Sequence, residues 1–483
     1  MSNPGDCTAV IMAAGVGSRM TDLTYQCPKP LLPVGRFPLI WYPIKSLEKA
    51  GFSDIIIVTR QSWHDQIQNA LSVDGCIDRV RLEYIEIQDS DECGTADSLR
   101  IIADRIKTNV LVVTCDLISD CDLADLMAVH RKNNSSFTVM LSQLPTTIIG
   151  DTPVPGFKSK QKNSDAEKIS IGFESSNLEH VVFWKARIDI EDEEESISFS
   201  KKFLDRYPCT RIQSTWTDCH VYMINKYIVQ YLQEKKNKYF NSLQSELLPF
   251  VVKKQMSTFV MDKPLDDMEM SSPESPGKQE KKKDLVDYAA NTDNDLNLIK
   301  YLSLTSSSFG SSEDAPQKNL IGCYAYRQTS GFCVRANTIA AYFEACKQMP
   351  RLISKFVGAK KTQTQLNIPE STDIKPKSQV GADCMLGECV TIGEKVSIKK
   401  SVIGKHCKIG DKVKITNSVI LGHVNIQESC NITNCIIADS ANIGDKSELT
   451  GCIVGQNQTI STMSKYTNEV ISNSSQMMEV TLE

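Results

Sequence analysis

The stretch Gly15-Val16-Gly17-Ser18-Arg19-Met20 comes after a short apolar run, Thr8 to Met12, that ends in Ala13-Ala14-Gly15. Glycines in such a loop let the backbone come close to a phosphate, and turn amides can cradle one. Nine residues beyond Arg19 begins Pro28-Lys29-Pro30-Leu31-Leu32-Pro33-Val34. Its prolines hold Lys29 in an extended, fixed loop. Together Arg19 and Lys29 carry the charge needed to neutralise a triphosphate. The competing reading is a tight strand-to-helix turn whose basic residues are merely solvated.

Such a loop needs a strand and a helix to hold it. Thr8 to Met12 reads as a buried strand, and Leu39 to Gly51 has helical spacing with a glycine stop. Asp54 to Thr59, Asn109 to Thr114 and Phe137 to Leu141 are strand-like, rich in β-branched and other apolar residues. Strands separated by helical stretches imply an α/β domain with a parallel sheet covered on both faces, spanning about 1–260. Residues 261–318 are dominated by Pro, Ser, Glu and Lys, and read as a flexible linker. Gly150 to Glu167 looks like a smaller surface loop of the same kind. Residues 319–375 read as a strand and helix bridging the α/β domain to a C-terminal one.

From 376 to 465 the chain repeats itself, ahead of a tail at 466–483. Apolar anchors at Ile398, Ile415, Ile432 and Leu449 fall 17 residues apart, with further anchors between them at steps of five or six. Three short strands per coil, each with one inward apolar residue, make a triangular parallel β-helix. Glycine comes after many anchors (Gly381, Gly387, Gly393, Gly404, Gly410, Gly444, Gly455), as turn positions with unusual φ would require. Ser401, Ser418, Cys435 and Cys452 share the 17-residue period and read as a stacked corner column rather than a disulfide site.

The 483 residues carry a formal net charge of −5, which argues against a general nucleic-acid binder. The runs at Glu191 to Glu195 and Lys281 to Lys283 read as solvated loop charges. No apolar run approaches the length of a membrane span, and Met1 to Cys7 begins no export signal. The 17 cysteines are therefore expected reduced, in the cytosol, and no paired CxxC spacing suggests zinc.

The strings A-G-x-G-S-R-M and P-K-P-L-L-P-V resemble those of the nucleotidyltransferase family that makes sugar nucleotides. Some members of that family append a hexapeptide β-helix, which is left-handed. The resemblance therefore implies a Rossmann-like nucleotidyltransferase domain followed by a left-handed parallel β-helix. It also assigns Gly94 and Thr95, in Cys93 to Leu99, to contact with the base, and Asp116 to magnesium. The departures fall on the sugar side. The family's glycine before the metal aspartate is Cys115, and its E-K-P segment becomes Val182-Phe183-Trp184-Lys185-Ala186. Its N-x-G-[IV]-Y segment becomes Asp218-Cys219-His220-Val221-Tyr222, with an imidazole where glycine left room for sugar.

Within the family the chain resembles the gamma subunits of eukaryotic translation initiation factor 2B. Matching strings include Met12 to Thr24, Pro28 to Gly35, Pro38 to Pro43, Gly94 to Arg100, Cys115 to Asp120, Lys226 to Val229 and Ser245 to Pro249. This resemblance implies a non-catalytic subunit of the guanine-nucleotide exchange complex that recharges initiation factor 2 with GTP and is inhibited by the phosphorylated factor. The implied partners are the epsilon subunit, as a heterodimer, the alpha, beta and delta subunits, and initiation factor 2 as substrate. Neither nucleic acid nor membrane is an expected partner. Epsilon carries exchange activity on a further helical-repeat domain, for which the residues after Ile460 are too few. On this reading no residue is catalytic. Gly15, Gly17, Arg19, Lys29, Gly94 and Thr95 are a vestigial nucleotide site, and Asp116 is a vestigial metal residue. No cofactor is required, with at most weak GTP or ATP and magnesium. The alternative is an active sugar-1-phosphate nucleotidyltransferase such as a mannose-1-phosphate guanylyltransferase, favoured by Arg19, Lys29 and Asp116 and opposed by His220 and the missing E-K-P.

Overall fold

A computed structural model of the chain describes residues 7–25, 27–72, 77, 79–89, 93–143, 145, 154–156, 169–186, 199–256, 284–290, 320–357 and 363–472. The charge runs at 191–195 and 281–283 lie outside them. The first domain is built on β1 (Cys7–Met12), α1 (Trp41–Lys49), β2 (Asp54–Arg60), β3 (Arg81–Ile87), α2 (Thr95–Ile101) and β4 (Asn109–Thr114). Next come β5 (Leu117–Ser119), α3 (Leu123–Lys132), β6 (Phe137–Ser142), β7 (Thr217–Ile224), α4 (Lys226–Gln233) and, beyond residue 319, β8 (Cys323–Gln328).

Seven of these strands form one sheet in the order β8-β6-β7-β4-β1-β2-β3. Alternate residues of β1 face opposite ways, Val10 toward a core with α2 and α4, Ile11 toward a core with α1 and α3. Burial on both faces is why the strands read as nearly unbroken apolar runs. The sheet is not wholly parallel, as the strand-helix alternation suggested. β1 runs parallel to β2 and β4, but β7 lies antiparallel between β4 and β6. After β6 the chain re-enters beside the end it left, since Thr217 pairs with Ser142, so no crossover restores the direction.

The excursion between β6 and β7 contains a three-stranded antiparallel sheet of Ile169–Glu174, Val181–Ala186 and Thr210–Gln213. Within 261–318, Asp284 and a short helix at Leu285–Ala290 are described, and the rest lies outside the described residues. Leu285, Val286 and Ala289 join the core of α4, and Tyr288 meets the Tyr231 ring edge-on.

Beyond β8 come β9 (Cys333–Arg335), antiparallel to β5, and the long helix α5 (Ile339–Val357). From Asp373 to Ile471 three six-stranded parallel sheets stack as the left-handed β-helix. Ile398, Ile415, Ile432 and Leu449 pair in succession at their 17-residue spacing, all buried. Two faces point polar residues outward, such as Lys408 and Asn425, or Thr416 and Lys414. The third does not. Met385, Val402, Val419, Ile436 and Ile453 are buried in a core shared with α5 and with Leu32, Val34 and Trp41 of the first domain. Arg36 adds an ion pair to Glu388 at 2.7 Å, and Lys355 of α5 one to Asp120 at 2.6 Å. Of the Gly150–Glu167 loop, Val154–Gly156 is described. Gly156 donates its amide to the Gly451 carbonyl of the β-helix at 2.7 Å.

The glycines after the anchors do not take unusual φ. None of the seven has a positive φ; the left-handed corners are held by residues such as His406, Lys412, Asn417, His423 and Asn434. What most of them provide is space. A Cβ at Gly404 would fall 2.6 Å from the carbonyl carbon of Leu421, and at Gly387 2.5 Å from that of Gly404 in the next coil. The column of Ser401, Ser418, Cys435 and Cys452 is a ladder. The Ser418 amide donates to the Ser401 hydroxyl at 3.1 Å, and the Cys435 amide to the Ser418 hydroxyl at 3.2 Å. Cys435 and Cys452 are free thiols.

Candidate functional site

The site lies at the carboxyl ends of β1 and β4, which pair in register from Cys7 with Asn109 to Met12 with Thr114. Two loops therefore leave the sheet side by side. The first carries Gly15 and Gly17, and the second carries Cys115 and Asp116. Gly17 has φ +78°, and a Cβ there would press on the Lys29 stem at 3.3 Å and on Thr24 at 3.1 Å. The glycine thus serves Lys29. Gly15 and Arg19 are exposed, Arg19 on the short turn Ser18–Met20, and the space around Gly15 is open.

Lys29 itself is buried, and its ammonium makes a short ion pair with the fully buried Asp116 carboxylate. The second Asp116 oxygen accepts the Thr114 hydroxyl at 2.7 Å and Nε of Arg335 at 3.3 Å. The Ala336 amide also donates to the Asp116 carbonyl at 2.8 Å. Burial alone would raise the Asp116 pKa. Arg335 and Lys29, with their hydrogen bonds, override it and hold the carboxyl below its ordinary range. Asp116 is an ion here, with both oxygens engaged.

His220 sits in a bulge of β7, where pairing with β6 shifts register between Asp218 and Tyr222. Its φ is +52°, a left-handed conformation that glycine adopts freely. The backbone keeps the shape of a glycine position while the side chain fills the space. Burial, then the Arg335 guanidinium, pushes the His220 pKa well below the imidazole range, so the ring is neutral. Asp218 is likewise committed: it accepts the His220 amide at 2.8 Å and the Tyr222 hydroxyl at 2.5 Å. Beside it, the Cys219 and Cys333 sulfurs lie 3.5 Å apart. Cys115 is a neutral thiol, pushed up to about 12 by burial and by Asp116.

Gly94 and Thr95 open α2, against the segment Asn241–Leu243. A Cβ at Gly94 would fall 2.1 Å from the Asn241 carbonyl oxygen, the Ala96 amide donates to that oxygen at 2.9 Å, and Thr95 Oγ1 accepts the Leu243 amide at 2.9 Å. The Gly94 amide donates to Asp97 at 3.2 Å. These groups meet other parts of the chain itself. Lys185 lies in the small antiparallel sheet, opposite Ser170.

Of the residues chosen from sequence, the structure joins Gly17, Lys29 and Asp116 directly. Arg335 was missed. It lies 219 residues from Asp116, in a segment read as a bridge, and no motif marks it. Magnesium is commonly held through one or two carboxylates, with waters and phosphates completing its shell. The one carboxylate available here, Asp116, has both oxygens engaged by cations, Lys29 on one and Arg335 on the other.

Two family models match the chain: nucleotidyl transferase over residues 8–147, and the LbH domain of EIF2B subunit epsilon over residues 365–466. Translation initiation factor eIF2B subunit gamma of Dictyostelium discoideum is 27% identical over 408 residues, covering 82% of this chain and 86% of that protein. The chain is thus similar to eIF2B gamma subunits over most of its length. The Schizosaccharomyces pombe gamma subunit is also 27% identical, covering 82% of this chain and 74% of its own. A mannose-1-phosphate guanylyltransferase of Mycobacterium tuberculosis is 28% identical, but over only 28% of this chain and 36% of that enzyme. The gamma likeness thus runs through both domains, whereas that to this transferase covers a stretch of 134 residues. Among the described residues no helix is long and apolar enough to cross a membrane.

Proposed function

We propose that the chain is a non-catalytic subunit of an eIF2B-type guanine-nucleotide exchange complex in the cytosol. It pairs there with the catalytic epsilon subunit, assembles with alpha, beta and delta, and serves exchange on initiation factor 2. The observation that carries this reading is the gamma likeness over 82% of the chain. The geometry supports the non-catalytic half. Nucleotidyl transfer needs a metal and free basic groups to hold a triphosphate in line with the attacking phosphate. Here Lys29 is spent on Asp116, Asp116 is closed by Arg335, and the Gly94–Thr95 turn is packed on Asn241–Leu243. By the family resemblance, His220 falls on the side that a sugar would take. Gly15, Gly17 and Arg19 then bind GTP or ATP weakly at most, and no cofactor is required.

A tagged copy expressed in cytosol tests this. The expected result is recovery with epsilon and the other subunits, with GDP release from initiation factor 2 only when epsilon is present. A homo-oligomer that elutes alone and converts a sugar phosphate would replace this reading with the sugar-nucleotidyltransferase one.

A further inference from the structure

Resting on that non-catalytic reading, we propose that Arg335 is the resident cation of the Asp116 carboxylate. It excludes a divalent ion and turns a metal-type aspartate into a fastening between the first domain and the helix that carries the β-helix. Three observations carry this. First, Nε of Arg335 lies 3.3 Å from the Asp116 oxygen that Lys29 does not hold, so the carboxylate meets fixed positive charge on both oxygens. A guanidinium never loses its proton, so this neutralisation is permanent where a metal's would depend on concentration. Second, the contact is built from the backbone. Arg335 pairs with Leu117 across β9 and β5, and the next amide, Ala336, donates to the Asp116 carbonyl at 2.8 Å. The side chain is thus delivered to the carboxylate by strand register. Third, four residues on begins α5, whose Tyr342 and Met349 are buried with Val402, Val419 and Ile436 of the β-helix. The ion contact therefore sits at the root of the element on which the β-helix is docked.

Mn2+ titration of the full-length chain, monitored by the paramagnetic signal of the free ion, tests the inference. Wild type is expected to bind no Mn2+ that Asp116→Asn removes. Arg335→Gln is expected to gain affinity by about tenfold or more, the order expected when one unit charge about 4 Å from the carboxylate is removed, and the double variant with Asp116→Asn to lose that gain. Arg335→Met keeps the aliphatic stem and serves if the glutamine variant folds poorly; the wild-type titration stands whatever the variants do. Mn2+ held by wild type through Asp116 would overturn the inference, as would a folded Arg335 variant with no gain. Mn2+ binding by wild type without turnover of a sugar phosphate sinks only this inference. Turnover sinks the non-catalytic reading as well.

Discussion

In the β-helix, a buried side chain meets the residue 17 positions away, whereas in the Asp116 pocket the closing contact joins residues 219 apart. The first region repeats one local instruction, so its geometry comes from the period. The second keeps a local motif, the glycine loop with Lys29, and has its chemistry redirected by a distant side chain. A retained motif therefore guarantees the backbone around a site and not the state of its charges. His220 makes the same point: the glycine-like φ survives while the vacancy does not.

Substitutions can break or sharpen this contrast. Ile415→Asp should cost most, about 4 kcal/mol or more, because an unpaired carboxylate would sit between two coils with no partner. Urea denaturation would show it, and a midpoint near wild type would mean the coils do not share a dry interior. Asp116→Asn comes next, at about 3 kcal/mol, since Lys29 and Arg335 would then face each other without the anion between them. A pH series sharpens that test. The Asp116 pKa is depressed in the folded chain, so its contribution is full above the unfolded carboxylate value near ~4 and is lost as pH falls toward the folded value. Stability should fall less steeply on acidification in Asp116→Asn than in wild type; equal slopes would show that the ion pair carries no such linkage. The smallest contrast lies within one coil. Val419→Asn, on the face covered by α5, should cost about 2 kcal/mol, and Thr416→Asn, on an open face, less than about 0.5 kcal/mol. Equal losses would mean that the two faces are equally covered.

The sequence made strands β1, β2, β4 and β6, the coil period and the Gly17–Lys29 loop legible, because each is set within a few residues. The covered face of the β-helix also left a signal. Met385, Val402, Val419, Ile436 and Ile453 put a second apolar residue before the anchor on one side of three. Reading the anchors alone passes over it. Assigning the glycines after the anchors to unusual φ fails because a sequence does not separate torsion from crowding; the neighbouring coil's backbone decides. Arg335 left no local trace, since it reaches Asp116 through the pairing of β9 with β5. The Leu285–Ala290 helix was hidden by the polar composition around it, although Leu285, Val286 and Ala289 already carry a helical apolar spacing.

The most direct test is to incubate the purified full-length chain with mannose-1-phosphate, GTP and Mg2+ and to look for a sugar nucleotide. With Asp116 held by Lys29 and Arg335, no product above a protein-free control is expected. Product formed at ordinary enzyme rates, and lost in Asp116→Asn, would contradict the assignment of this pocket to structure rather than catalysis.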